Sequence, residues 1–199
     1  MTDKRSQSNP ARVAVVAFAV VIAIFVVPKL LHSSPAAPSA AAFTTWETTV
    51  RHDLDDCVTG VKGTAIEINA MEAPGATQAE KVKASMIAAE AKQLCNTTLD
   101  QGSSAFASNS ANPPSGYPSL ANVADEILLW ISPATTNVLT NVQNVANSNG
   151  STGSTAALLT DAQTADAQAE QINHQIAQAA KLAGVSVTVT VPAWKLTGS

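Results

Sequence analysis

Aromatic residues, charged residues and catalytic motifs are all scarce in this chain of 199 residues. Aromatic side chains make up 4% of the sequence and charged side chains 13%. The sequence has no Gly-rich phosphate-binding loop, no G-x-S-x-G motif and no His and Cys arranged as a nucleophile. These absences count against nucleotide-dependent enzymes and against hydrolases with an activated serine or cysteine. We therefore expect a protein that is not an enzyme and binds no cofactor.

Metal ligands are few as well. The stretch His52–Asp56 gathers one histidine and three aspartates, and Glu170 lies four residues before His174. Both histidines fall outside the apolar seams of their predicted helices. Carboxylates near a helix start are favoured by the helix dipole, so a solvated helix face accounts for the first group. We predict no metal site; a weak divalent-cation site and a metal-dependent enzyme are the less supported alternatives.

Positive charge is scarce beyond Phe43. Seven Lys and Arg residues stand there against fourteen Asp and Glu residues, a net charge of −7. Such a domain repels phosphate groups, so no nucleic-acid partner is expected. The same region is rich in Ala, Thr, Gln, Asn and Ser. This composition suits long helices packed through alanine, and the predicted fold class is all-α.

The longest apolar run is the most informative segment. Residues 13–27 are fifteen consecutive apolar residues that follow three basic ones. This order directs export and leaves the N-terminus inside. With Lys29 snorkelling, a helix over 13–31 reaches about 28 Å, close to the thickness of a bilayer core. We predict a cytoplasmic segment over 1–12 and a single transmembrane signal anchor over 13–31, which makes the membrane a partner.

Cleavage of this segment is the alternative. Ala40-Ala41-Ala42 fits the small-residue pattern of a signal-peptidase site, and cleavage there would give a secreted or periplasmic protein. The site lies fifteen residues beyond Val27, farther than such sites usually stand from the apolar run. The uncleaved anchor is favoured, with the C-terminal domain extracytoplasmic.

A linker and a helical hairpin follow the anchor. Residues 32–43 are a Pro/Ala/Ser linker, and residues 44–184 are predicted to form an up-down-up-down four-helix bundle. Capping boxes at Thr44–Glu47 and Thr77–Glu80 open the first two helices, and the second helix is expected to fray between Gly102 and Asn109. Apolar residues recur every three or four positions at Val50, Leu54, Cys57, Val61, Ala65 and Ile68, and again at Ala84, Ile87, Ala91, Leu94 and Thr98.

A second hairpin is predicted after a proline-rich loop. The third helix starts after Ser119 and is kinked at Pro133. The fourth helix ends at Gly184 in a C-terminal cap. Its seam is a regular heptad that predicts close, coiled-coil-like packing through Leu158, Ala162, Ala165, Ala169, Ile172, Ile176, Ala179 and Ala183.

The two cysteines test the register of the first hairpin. The midpoint of Cys57 and Cys95 is position 76, inside the turn between the two helices. Residues equidistant from the turn of an antiparallel hairpin lie side by side, so we predict a disulfide in an oxidising compartment. Gly60 and Gly63 lie close by and indicate that the helices approach closely there, with a signalling hinge as the alternative.

The last segment alternates like a β-strand. Val185, Val187, Val189 and Val191 are separated by Ser or Thr, and Trp194 follows. In a helical domain a lone strand leaves its backbone groups unpaired. Residues 185–199 are therefore a predicted β-strand-like tail that binds a protein partner or a second copy through these four valines and Trp194. Packing of the tail on this protein's own bundle is the alternative.

The predicted function is a membrane-anchored, extracytoplasmic helical bundle that acts as a non-catalytic interaction or scaffold component of the cell envelope. A ligand-binding or sensory ectodomain that signals through a partner is the alternative, because helical bundles commonly follow a single span in receptors. A metal-dependent enzyme using His52, Asp53, Asp56 or His174 is the weakest alternative.

Overall fold

The computed structural model describes residues 37–148 and 152–196 of the chain. Those residues belong to one compact unit. They form α-helices and no strand, which confirms the all-α prediction. The helices are α1 (Ala40–Glu72), α2 (Gln78–Ala111), α3 (Leu120–Leu129), α4 (Thr136–Asn147) and α5 (Thr152–Ala183), and Trp130–Thr135 joins α3 to α4.

The predicted anchor, residues 13–31, lies outside the described residues, as does the segment 1–12 before it. Among the helices that the structure describes, none is both long enough and apolar enough to cross a bilayer. The transmembrane anchor therefore stays a prediction from the sequence.

Helix α1 begins earlier than predicted. It starts at Ala40, and the hydroxyl of Ser39 accepts the backbone N–H of Ala42 as the N-cap. The predicted linker over 32–43 is therefore too long at its C-terminal end. The capping box proposed at Thr44–Glu47 is wrong, because these residues lie inside the helix and the Glu47 side chain is buried.

The turn between α1 and α2 is built as the sequence predicts. Thr77 and Glu80 form a complete capping box, in which the Thr77 backbone N–H and hydroxyl both donate to the Glu80 carboxylate. These hydrogen bonds lower the pKa of Glu80. The cap is therefore in place at neutral pH and weakens as the pH falls through that lowered pKa. Gly75 turns the chain with φ +85°, a conformation that glycine adopts at no steric cost.

Helix α2 is longer than predicted. The fraying expected between Gly102 and Asn109 does not occur, because α2 continues to Ala111. Phe106 is fully buried, so apolar packing extends into this last part of the helix.

The break between α3 and α4 is at the predicted place. Ser132 leaves the helical conformation with φ −143° and ψ 122°, just before Pro133. Proline cannot donate a backbone hydrogen bond and clashes with the preceding turn, which explains the kink. Trp130 and Ile131, just before the break, are fully buried in the core.

Cross-helix contacts show that α1 and α2 run antiparallel. Glu67 and Lys83 form an ion pair of 2.8 Å, and the midpoint of their residue numbers is 75. Cys57 bonds to Cys95, and the midpoint of that pair is 76. The Cα atoms of the two cysteines lie 4.3 Å apart. The predicted disulfide is confirmed, and so is the register from which it was derived.

Two further contacts give the register of the remaining helices. Lys92 Nζ donates to Thr140 Oγ1 at 2.9 Å, which pairs α2 with α4 around residue 116. Asn141 Nδ2 donates to Asp161 Oδ2 at 2.7 Å, which pairs α4 with α5 around residue 151. The described helices thus pack together as a helical bundle.

Helices α1 and α2 approach each other closely at Gly60. A Cβ atom placed on Gly60 would lie 2.9 Å from both the Cα and the Cβ of Ala91, whereas one on Gly63 would meet only Ile87 at 4.0 Å. Close approach, one of the two explanations considered for this glycine pair, therefore accounts for Gly60. Small residues also line α5, whose buried positions are Leu158, Ala162, Ala165, Ala169, Ile172, Ile176, Ala179 and Ala180.

Loss of the disulfide is expected to destabilise the bundle strongly. The bond closes a loop with a sequence separation of 38. On the chain-entropy account, a loop of this size contributes about 4 kcal/mol. Thermal unfolding with and without reductant measures the loss. Two alkylatable thiols in protein isolated without reductant would contradict the bond.

The two glycines of α1 should respond in opposite ways to alanine. Gly60→Ala forces the new methyl group into the backbone of Ala91 and should cost about 1–3 kcal/mol. Gly63→Ala has room and should stabilise the helix by up to about 1 kcal/mol. Urea unfolding of both variants tests this; equal effects would contradict the close contact at Gly60.

Candidate functional site

The C-terminal segment 184–196, called the tail below, lies along the bundle in an extended conformation. Val189, Val191 and Trp194 are buried, with 4%, 2% and 2% of their surface exposed. Val185 and Val187 are partly buried against the same core. The valines therefore face inwards, as their alternation predicts, and they face the protein's own helices.

A helix cap sets the start of the tail. Gly184 has φ +70°, its N–H donates to the Lys181 carbonyl, and the Val185 N–H donates to the Ala180 carbonyl. This pair of hydrogen bonds is the Schellman motif, which reverses the chain direction after a helix. The predicted C-terminal cap is confirmed, and it sends the tail back along α5.

Three side chains hold the backbone of the tail. Glu47 Oε1 on α1 accepts the N–H groups of Thr188 and Val189, the latter at 3.1 Å. Asn173 on α5 pairs twice with Val191: its Oδ1 accepts the Val191 N–H and its Nδ2 donates to the Val191 carbonyl, both at 2.8 Å. This double pairing has the donor–acceptor pattern of a neighbouring strand.

Asp166 completes the set at the end of the tail. Its two carboxylate oxygens accept the N–H groups of Trp194 and Lys195. The Trp194 indole Nε1 is buried and has no hydrogen-bond partner among the described residues, so this side chain is held by packing. Glu47, Asn173 and Asp166 are called the clasp below.

The prediction of a β-strand is therefore wrong in one respect, the hydrogen bonding of the tail. The tail is extended, but no strand exists in the part of the chain that the structure describes. The reason is that its inward N–H groups bond to the side chains of the clasp, where a strand would bond to another backbone. The predicted partner binding through the tail remains a prediction.

The other edge of the tail is open. Ser186, Thr188 and Thr190 are exposed. The N–H and C=O groups of Ser186 and Thr190 make no hydrogen bond within the described residues. In an extended chain these groups alternate in direction, so those of Thr190, between Val189 and Val191, point away from the clasp. The alternation is interrupted at Thr188, whose N–H also donates to Glu47.

A polar cleft of about 450 Å³ lies between α1 and α2. Its lining includes the predicted acidic stretch from His52 to Asp56, together with Thr97 and Thr98 of α2. The His52 side chain is 88% exposed, and its Nδ1 lies 3.3 Å from Asp53 Oδ1. Within the described part of the chain, no group of three His, Cys, Asp or Glu side chains is arranged to hold a metal ion.

The second histidine makes only a local contact. His174 Nε2 lies 3.4 Å from Gln178 Nε2, one turn further along α5. The spacing in the sequence made Glu170 a candidate partner of His174, but no hydrogen bond or ion pair joins these two side chains within the described residues.

Sequence reasoning missed all three residues of the clasp. The burial of Glu47 could have been inferred from the sequence, because Glu47 lies three positions before Val50 and so falls on the buried seam of α1. A carboxylate at a seam position needs a hydrogen-bonding partner inside the protein. Asn173 and Asp166 carried no such signal, since polar residues on the flank of a helix are ordinary.

Comparison with known proteins gives no relative. No protein-family model, no curated protein and no solved structure matches this chain.

Removing the Glu47 carboxylate should loosen the tail. Glu47→Ala leaves two N–H groups unpaired and should cost about 2–4 kcal/mol, while Glu47→Gln keeps one acceptor and should cost less. Glu170→Ala, at an exposed position on α5, is the control and should change stability by under about 0.5 kcal/mol. Chemical denaturation gives the energies, and amide hydrogen exchange at Thr188 and Val189 reports the tail. Rapid exchange of these two amides in the unaltered protein would contradict the clasp.

Proposed function

We propose that this protein is a membrane-anchored, extracytoplasmic helical bundle that acts as a non-catalytic interaction or scaffold component of the cell envelope. The observation that carries the proposal is the open edge of the tail. Ser186 and Thr190 are exposed and, within the described residues, their backbone groups are unpaired, while the clasp holds Val189 and Val191. A fixed, extended segment with one open edge is a template to which a partner strand can add.

The architecture proposed for the scaffold is an up-down-up-down four-helix bundle, in which α3 and α4 together make one kinked helix. The antiparallel contacts centred on residues 75, 116 and 151 support this order. Such a bundle needs only short connections and gives the tail a rigid base.

The Cys57–Cys95 bond supports an extracytoplasmic location. Structural disulfides persist in oxidising compartments and are rare in the cytosol. The apolar run over 13–31, preceded by basic residues, supplies the anchor and the orientation.

The packing before Phe43 argues against cleavage after Ala42. Ser39 caps α1, and its carbonyl accepts the Tyr117 hydroxyl at 2.9 Å. Ala42 lies inside α1 and Phe43 is fully buried. Cleavage there would remove the cap and the first turn, so this contact favours a mature chain that keeps these residues.

A sensory or ligand-binding ectodomain is the second candidate. The polar cleft between α1 and α2 favours it, because it offers hydroxyl, carboxylate and imidazole groups to a small polar ligand. Saturable binding of a small molecule that is lost in Thr98→Val would support this candidate over the scaffold.

The scaffold proposal is tested by closing the open edge of the tail. Thr190→Pro removes the outward N–H and leaves every bond of the clasp in place, and the preceding Val189 lies in the extended tail, as a residue before proline prefers. We expect the full chain to fold with unchanged thermal stability and to lose its partners in pull-downs from detergent-solubilised membranes. Thr190→Val keeps the N–H and is the matched control.

The same preparation tests the anchor. The protein should remain in membranes after an alkaline wash, and its intact mass should include residues 1–31. A variant Thr190→Pro that keeps every partner would refute binding at the open edge. A soluble protein that begins at Phe43 would refute the anchor.

A further inference from the structure

We propose that the polar cleft between α1 and α2 binds a small organic cation, an aliphatic amine that carries two ammonium groups. The inference rests on the second candidate function and names its ligand class; it does not involve the tail. It follows from three properties of the cleft: a buried hydroxyl group without a partner, an excess of carboxylates, and the absence of a metal-binding arrangement.

The hydroxyl group of Thr98 is the first observation. Two other threonines line the cleft, and each bonds back to its own helix. Thr48 Oγ1 donates to the Thr44 carbonyl at 2.8 Å, and Thr97 Oγ1 donates to the Gln93 carbonyl at 3.0 Å. Only 5% of Thr98 is exposed, yet its hydroxyl makes no hydrogen bond within the described residues and is not sealed off by protein atoms. It therefore opens into the cleft that Thr98 lines.

A carboxylate adjoins this hydroxyl group across Gly102. Gly102 lies one turn after Thr98 and is buried, so both line the inner part of the cleft. A Cβ atom placed on Gly102 would lie 3.6 Å from Asp53 Cβ. The Asp53 side chain is only 20% exposed and forms no ion pair with Lys or Arg within the described residues. A hydroxyl and a carboxylate offer several acceptors and suit a ligand rich in N–H donors.

Charge decides the class of that donor. Three carboxylates, those of Asp53, Asp55 and Asp56, line the cleft against the one guanidinium of Arg51. With His52 neutral the lining therefore carries a net charge of −2. An anion would be repelled, and an uncharged ligand would leave this excess unbalanced. A ligand with two ammonium groups matches it in sign and in amount.

A metal ion suits the cleft less well than an organic cation. Within the residues that the structure describes, no three His, Cys, Asp or Glu side chains converge on one point. A divalent metal ion needs several ligands around one centre, whereas two ammonium groups on one chain bind acceptors that lie apart. The cleft has a volume of about 450 Å³, which is in the range of small-molecule sites.

Calorimetric titration of the full chain in non-ionic detergent with butane-1,4-diamine tests the inference. We expect saturable, one-to-one binding that weakens as NaCl is added, because salt screens the attraction between charges. Butylamine has one ammonium group and should bind about tenfold more weakly, since it loses one of two charge contacts. Butanol and butyrate have a similar length with neutral or negative charge, and neither should bind.

Two threonine variants locate the site. Thr98→Val keeps the shape of the side chain and removes the free hydroxyl, so diamine binding should weaken about tenfold, the value of one hydrogen bond to a charged group. Thr97→Val removes a hydroxyl that already donates to its own helix, and the affinity should be nearly unchanged. Thermal unfolding of each variant checks that the bundle is intact.

A third variant tests the charge independently of the hydroxyl. Asp53→Asn keeps the size of the side chain and removes its charge, and it should also weaken diamine binding about tenfold. This variant decides the matter if Thr98→Val fails to fold. Absence of saturable diamine binding, equal losses in Thr97→Val and Thr98→Val, or tighter binding of Ca²⁺ than of the diamine overturns the proposal.

The remaining outcomes distinguish this inference from the functions proposed above. If butanol or butyrate binds in a manner that depends on Thr98 and the diamine does not, the cleft takes another class of ligand. The second candidate function then stands and this inference fails. If none of these probes binds, this inference fails while the scaffold proposal, which Thr190→Pro tests separately, is unaffected.

Discussion

A buried backbone N–H must find an acceptor, and this requirement shapes the C-terminal part of the protein. A sheet would supply carbonyl groups, but the bundle has only helices, whose backbone groups are already paired. The clasp meets the requirement with side chains: a carboxylate from α1, and an amide and a carboxylate from α5. Charged acceptors make stronger hydrogen bonds than neutral ones, which lets few side chains hold a long segment.

The clasp and the alanine seam of α5 are related, because the clasp holds in place the apolar side chains that an alanine seam does not supply. Alanine lets helices approach closely but contributes little apolar area. Two buried valines and Trp194 come from the tail and add the area that the seam of α5 lacks. The tail is therefore part of the core on one face. On its other face it carries Ser and Thr, and the division follows from the two-residue period of an extended chain.

Periodicity and symmetry could be read from the sequence, and they gave the helices, the kink at Pro133, the capping box at Thr77 and the disulfide. Each of these is a local pattern or a distance along the chain. The alternation of the tail also predicted which of its side chains turn inwards. What these patterns do not contain is the identity of the surface on which a segment packs, since that depends on residues far away in the sequence.

The errors have the same origin. Thr44–Glu47 has the spacing of a capping box, yet the helix starts at Ala40, because Phe43 and Trp46 are buried and extend the core beyond that point. The Glu47 carboxylate instead accepts a hydrogen bond from Thr188 of the tail, 141 residues away along the chain. The extension of α2 to Ala111 likewise depends on burial of Phe106. Tertiary packing overrode the local signal in each case.

The contact between Glu47 and the tail also fixes an order of events during synthesis. The α1–α2 hairpin is one continuous stretch and can close as soon as α2 is made. The groove that holds Val189, Val191 and Trp194 stays open until the tail has been synthesised. The bundle is therefore completed only once the tail is available, and a chain halted before the tail keeps an apolar groove exposed to water.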